Sequence, residues 1–186
     1  MDIPLTTAYN YADFDHLILQ YSFKADVSTG GQGLNMQFAN WNDPSPPFLP
    51  SYWDTNYHAM IGYNSNPTAC VSEYFGGVEA LCLYPDDTLF GGGVNNDQPL
   101  QGTIECFNTV GGPGSYNNKP IRWSTNLVSE PANLFLGNGF HERVPDNTSI
   151  SALRFAICLN DMSNFDTATF NIDADSWVRV YTVSNS

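Results

Sequence analysis

The sequence predicts an all-β protein, an antiparallel two-sheet β-sandwich that is jelly-roll-like and has few or no helices. Three observations support this fold class. Apolar side chains recur at every second position in about ten short segments, which is the period of strands buried on one face. Clusters of Gly, Pro, Asn and Asp separate these segments. No window of about eleven residues has the apolar spacing of an amphipathic helix.

The first strand-like run covers 16–24, where Leu17, Leu19, Tyr21 and Phe23 share one face. The later runs are 34–38, 59–63, 78–84, 100–110, 121–123, 134–136, 151–159, 167–172 and 176–183. The stretch 40–56 contains four prolines and is predicted to be an ordered loop. No internal repeat or long linker divides the chain, so residues 1–186 are expected to form a single β-sandwich domain.

The charge balance excludes whole classes of partner. Lys and Arg number 6, Asp and Glu number 19, and the net charge is −13. Binding to nucleic acids or to anionic membranes needs clustered cations, and these six are scattered. No signal peptide and no transmembrane segment is visible. The partners that remain are neutral sugars, proteins, metal cations and copies of this chain.

The four cysteines are Cys70, Cys82, Cys106 and Cys158, and none forms a C-x-x-C pair. The last three lie in apolar alternating runs, where a reduced cysteine acts as a small hydrophobic side chain. We expect that state, with two disulfides as the alternative.

Catalytic motifs are missing from the sequence. The histidines are His16, His58 and His141, and no HExxH, G-x-S-x-G or phosphate-binding loop surrounds them or the glycine clusters. The sequence therefore predicts that the protein is not an enzyme and needs no cofactor.

Two groups of residues are candidates for binding. Asp173 and Asp175, with Asn171, are spaced by two, so their oxygens could take part in a Ca²⁺ site; tight turns favour the same residues. Four aromatic residues are interleaved with Asn and Asp in a manner typical of sugar-binding surfaces; they are Trp41, Tyr52, Trp53 and Tyr57. The same rings could instead contact another subunit or pack in the core.

Three segments resemble small β-sandwich modules of tailed-bacteriophage virions. They are NYADFDHLILQYSFKADVSTGGQGLNMQFAN near the start, QPLQGTIECFNTVGGPGSYNNKPIRW in the middle and TSISALRFAICLNDMSNFDTATFNIDADSWVRVYTV near the end. The last segment departs from the family pattern, since Thr182 follows Tyr181 where a glycine is usual.

The resemblance implies a non-enzymatic structural protein of the virion, either a capsid decoration (cement) protein or a tail-associated surface protein such as a tail-fibre module. It implies a homo-oligomer, commonly a trimer, that contacts other virion proteins such as the major capsid protein after assembly in the host cytoplasm. The alternative is a carbohydrate-binding, lectin-like protein that recognises a host glycan through exposed aromatic rings.

Overall fold

The fold is seen in a computed structural model that describes residues 1–4, 16–26, 33–40, 54–62, 70–78, 81–84, 99–107, 119–127, 134–142, 150–158 and 171–183. These residues form strands and turns, and no helix occurs among them. The strands are β1 (Asp2–Pro4), β2 (His16–Phe23), β3 (Gly33–Asn40), β4 (Asp54–Gly62), β5 (Cys70–Val78), β6 (Leu81–Tyr84), β7 (Leu100–Phe107), β8 (Lys119–Leu127), β9 (Leu134–Glu142), β10 (Ile150–Cys158) and β11 (Trp177–Val183). The predicted all-β class is confirmed.

The strands form two antiparallel sheets. The small sheet has four strands in the order β1-β10-β3-β6, and the large sheet has seven in the order β11-β2-β7-β8-β9-β4-β5. The β8–β9 hairpin lies between β7 and β4, and β11 lies at the edge beside β2. When these three strands are set aside, the remaining strands have the orders β1-β10-β3-β6 and β2-β7-β4-β5. That is the arrangement of a jelly roll, in which strands alternate between two sheets and early strands pair with late ones. The sequence prediction of a jelly-roll-like sandwich is therefore correct.

The core lies between the two sheets. The large sheet contributes alternate residues of β2, and all four are buried: Leu17, Leu19, Tyr21 and Phe23. The small sheet contributes Leu34 and Met36 from β3 and Leu153, Phe155 and Ile157 from β10. The rings of Phe23 and Phe155 join the sheets, with centroids 4.9 Å apart.

The small sheet is buried on both faces, which the alternation did not predict. Asn35 and Gln37 of β3 face away from the core, yet both are buried. Ala156 of β10 lies directly opposite Asn35 and is buried as well. The large sheet therefore provides the open outer face of the described sandwich.

Several strand predictions need correction. The run 78–84 belongs to two strands in different sheets, because β5 ends at Val78 and β6 begins at Leu81. The predicted loop 40–56 overlaps β3 at Asn40 and β4 from Asp54 onwards. Of the predicted run 167–172, residues 167–170 lie outside the described residues, and Ile172 forms an isolated bridge with Ala25. The strands β1 and β5 were not predicted.

No helix in the described part of the chain is long and apolar enough to cross a membrane.

Candidate functional site: the outer face of the large sheet

The outer face of the large sheet consists of the side chains that alternate with the core residues of β2. Directly paired residues of antiparallel strands point to the same side. The register therefore places four rows of side chains on this face, each crossing from β11 through β2 and β7 towards β8. The first row is Trp177, Ser22, Gln101 and Asn126, and the second is Arg179, Gln20, Thr103 and Ser124. The third row is Tyr181, Ile18, Glu105 and Arg122, and the fourth is Val183, His16, Phe107 and Pro120.

This face differs in charge from the rest of the protein. On β11, β2, β7 and β8 its side chains include two arginines, Arg122 and Arg179, and one carboxylate, Glu105. The whole chain has 19 Asp and Glu residues and a net charge of −13, so few of its acidic residues lie on this part of the face. Most of the remaining positions are uncharged hydroxyl or amide side chains. The face is therefore suited to contacts with neutral or acidic surfaces, since it adds little like-charge repulsion.

At the β11 end of the face, two aromatic rings are exposed. Trp177 is 39% exposed and Tyr181 is 44% exposed. The guanidinium of Arg179 lies over the Trp177 ring, 4.8 Å from its centroid, and the Tyr181 hydroxyl donates a hydrogen bond to Gln20 Oε1 at 3.3 Å. These contacts place two aromatic rings, a guanidinium group and a side-chain amide on one surface. That surface therefore combines apolar area with hydrogen-bonding groups.

A second aromatic group occupies the row that begins at Val183. His16 stacks on Phe107 with ring centroids 4.4 Å apart, and the Arg122 guanidinium lies 5.7 Å from the centroid of the same phenyl ring. His16 is therefore engaged in ring stacking. His58 and His141 lie in β4 and β9, and their side chains are outside the described residues.

The predicted cation ligands Asp173 and Asp175 lie in the turn before β11. Asp173 Oδ1 accepts a hydrogen bond from the Asp175 backbone N–H at 2.8 Å, and an Asp175 oxygen lies 3.7 Å from Lys24 Nζ. The Lys24 backbone N–H donates to Ser176 Oγ at 2.9 Å, which ties the turn to the end of β2. The described residues contain no group of three or more His, Cys, Asp or Glu that could hold a metal. The arrangement is that of an Asx-type turn, and the Ca²⁺ interpretation stays a prediction.

A buried polar pair crosses the core side of the large sheet. The Tyr21 hydroxyl forms a short hydrogen bond with Thr125 Oγ1, and desolvation by burial raises the pKa of Tyr21 well above its ordinary value of 10.0. Gly102 lies directly opposite Tyr21, where a Cβ atom would approach the phenol and the Ser124 carbonyl oxygen. The Tyr21 side chain is fully buried in the core, and the raised pKa is a consequence of that burial.

The predicted aromatic contact residues are only partly placed. Trp41, Tyr52 and Trp53 lie outside the described residues. Tyr57 lies in β4, where its backbone pairs with Gly139 of β9 and Phe75 of β5, and its side chain is outside the description. The contact role of these four residues therefore stays a prediction.

The exposed residues of β11 were missed as candidates, although their strand was predicted. The signal was present in the run 176–183, where Trp177 and Tyr181 fall on the face opposite to Val178 and Val180. Aromatic residues on the solvent side of a strand are a sign of a contact surface.

The cysteine prediction is confirmed for two of the four residues. Cys82 and Cys106 are buried in the hydrophobic core, and neither is part of a disulfide. Cys70 and Cys158 lie in β5 and β10, and their side chains are outside the described residues.

The fold and this surface define an acidic jelly-roll sandwich whose outer face is acid-poor on β11, β2, β7 and β8. No family model, no curated protein and no solved structure matches this chain.

Proposed function

We propose that this chain is a non-enzymatic structural protein of a tailed-bacteriophage virion, a capsid decoration (cement) protein or a tail-associated surface protein. It acts through protein–protein contacts made by the outer face of the large sheet, with its own copies and with other virion proteins such as the major capsid protein. The observation that carries the proposal is the acid-poor, ring-bearing outer face on a protein of net charge −13.

The chemistry of this face supports a contact role. Protein interfaces are rich in Trp, Tyr and Arg and poor in acidic residues. The first three types are supplied by Trp177, Tyr181, Arg179 and Arg122, and Glu105 is the one carboxylate of this face on β11, β2, β7 and β8. If the rest of the surface is strongly acidic, two copies of the chain would repel each other when those other faces approach. This repulsion would favour docking through the outer face.

The buried chemistry supports a structural role in preference to catalysis. Catalytic sites combine a perturbed pKa with a cleft that a substrate can enter. Among the described residues, the strongly raised pKa belongs to Tyr21, which is buried in the core beside Thr125.

The location is tested by mass spectrometry of purified virions from the phage that encodes the chain. The proposal expects peptides of this protein at a stoichiometry comparable with other structural proteins. Its absence from particles that retain their capsid and tail proteins would refute the virion assignment. Arg122→Glu, at an exposed position of the outer face, should lower the amount retained on particles, whereas Asp26→Asn, at an exposed residue outside that face, should leave it unchanged.

A second candidate function is glycan binding, which the exposed rings of Trp177 and Tyr181 beside Gln20 favour. Aromatic faces stack on the apolar side of sugars, and an amide can bond to hydroxyl groups at the ring edge. Binding to a glycan array that is lost in both Trp177→Ala and Tyr181→Ala, with unchanged thermal stability, would support it. An array without hits for the parent protein would eliminate it.

A further inference from the structure

Strand β11 ends the strand order of the large sheet, and none of the residues that the structure describes pairs with its outer edge. Proteins normally blunt such edges with proline, lysine, bulges or very short strands, since unpaired backbone groups otherwise recruit another chain. β11 has seven residues, contains neither proline nor glycine, and pairs with β2 without a register shift. Its residues are mostly β-branched or aromatic, so it has a high tendency to form sheet.

The other sheet ends are blunted. β1 has three residues and ends in Pro4, and β6 has four residues with a register shift in its pairing to β3. β5 contains Gly76 and Gly77 and has a register shift against β4. These are the devices that β11 lacks.

The core is also open along β11. Val178, Val180 and Thr182 are on the core-facing side of this strand, yet they are only half-buried. Their direct neighbours on β2, Leu17, Leu19 and Tyr21, are fully buried. A further strand beside β11 would cover these valines and extend the core by one row.

We propose that β11 pairs antiparallel with β11 of a second copy across a two-fold axis at Val180. This register keeps all seven residues paired and places Arg179 opposite Tyr181 of the second copy, and Trp177 opposite its Val183. The strand contains no carboxylate, so two acidic chains meet here without opposed acidic residues. Arg179 already lies over an aromatic ring in its own chain, and the pairing offers it a second one.

The inference rests on the part of the proposed function in which the protein acts as an oligomer, and not on its location in a virion. A two-fold edge pair produces a dimer, in contrast to the trimer that the family resemblance implies. The joined sheets would form one continuous surface from the two outer faces.

The test is sedimentation equilibrium of the purified protein and of four variants, with circular dichroism to check folding. The parent should be a monomer–dimer system. Tyr181→Arg puts arginine opposite Arg179 twice per dimer and should raise the dimer Kd by roughly tenfold or more. Arg179→Glu/Tyr181→Arg restores opposite charges in the same register and should return the Kd to within about threefold of the parent value.

Two further variants complete the design. Asp26→Asn changes an exposed residue beyond the end of β2, outside both the outer face and β11, and should leave the Kd unchanged. Arg179→Glu alone removes the arginine–ring contact at an exposed position and should weaken the dimer, which keeps the test decisive if Tyr181→Arg does not fold. A monomer at all concentrations, a trimer, no rescue by the double variant, or a dimer weakened by Asp26→Asn would each overturn the proposal. Mass spectrometry of virions tests the location independently.

Discussion

Replacing Tyr21 by phenylalanine isolates the buried polar pair of the core. The substitution keeps the ring in its place between Phe23 and Phe155 but removes the hydroxyl that bonds to Thr125. Thr125 Oγ1 is then buried without that partner, and such a loss costs about 1–3 kcal/mol of unfolding free energy. Tyr21→Phe/Thr125→Val removes both polar groups and should cost less than the sum of the two single variants.

The same pair predicts a specific pH dependence. Burial raises the folded-state pKa of Tyr21 above 10.0, its ordinary value, which applies to the unfolded chain. The folded protein therefore keeps a proton that the unfolded chain releases above that pH, and stability is lost as pH rises. The contribution of Tyr21 falls by up to about 1.4 kcal/mol per pH unit.

Urea unfolding followed by far-ultraviolet circular dichroism between pH 7 and about pH 11 measures both effects. The parent should be the more stable protein at neutral pH, and its advantage over Tyr21→Phe should shrink above the ordinary tyrosine pKa. Stability curves that stay parallel over the whole range, or a double variant whose cost equals the sum of the single costs, would refute this account of the pair.

Three other substitutions or conditions probe the remaining features. Gly137→Ala should destabilise the fold by about 1–3 kcal/mol in urea unfolding, since the new Cβ would clash with the Trp123 ring; an unchanged midpoint would contradict this packing. Phe155→Ala should cost about 3–5 kcal/mol, because the ring is fully buried between the sheets, and a loss below about 1 kcal/mol would place it outside the core. Calcium should not shift the melting temperature if the oxygens of Asp173 and Asp175 serve the turn, whereas a rise abolished by Asp173→Asn would establish the predicted Ca²⁺ site.

The fold class was predictable because the local signal and the tertiary environment agree in the central strands. β2 shows this best, since its alternate residues Leu17, Leu19, Tyr21 and Phe23 all face one core. β5 was missed because neither of its faces is uniformly apolar. Glu73 shares one face with Val71 and Phe75, and Ser72 is on the other face. β1 has only three residues, too few to show a period.

Burial of the small sheet on both faces was not predictable from alternation. Asn35 and Gln37 have the polar character of outward-facing residues, and their burial depends on what the rest of the fold places over that face. The contact of Gly137 with Trp123 is likewise a consequence of register between β8 and β9, which the sequence does not display.

The candidate site was less predictable than the fold. The sequence predicted a contact site at the aromatic residues beside Asn and Asp within 41–57. Whether these rings form a site depends on how the chain there folds, which the local pattern does not determine. The exposed ring surface of β11 arises because the strand lies at the end of a sheet, and this position is decided by long-range pairing with β2. Thus the run 176–183 could be identified as a strand but not as an edge.

The most direct measurement of the central claim is hydroxyl-radical footprinting with mass spectrometry, on dilute protein and on the assembled form. The account predicts rapid oxidation of Trp177 and Tyr181 in the dilute protein, protection of both on assembly, and slow oxidation of Tyr21 and Trp123 throughout. Equal oxidation of Trp177 and Tyr181 in the two forms, or rapid oxidation of the two core rings, would contradict it.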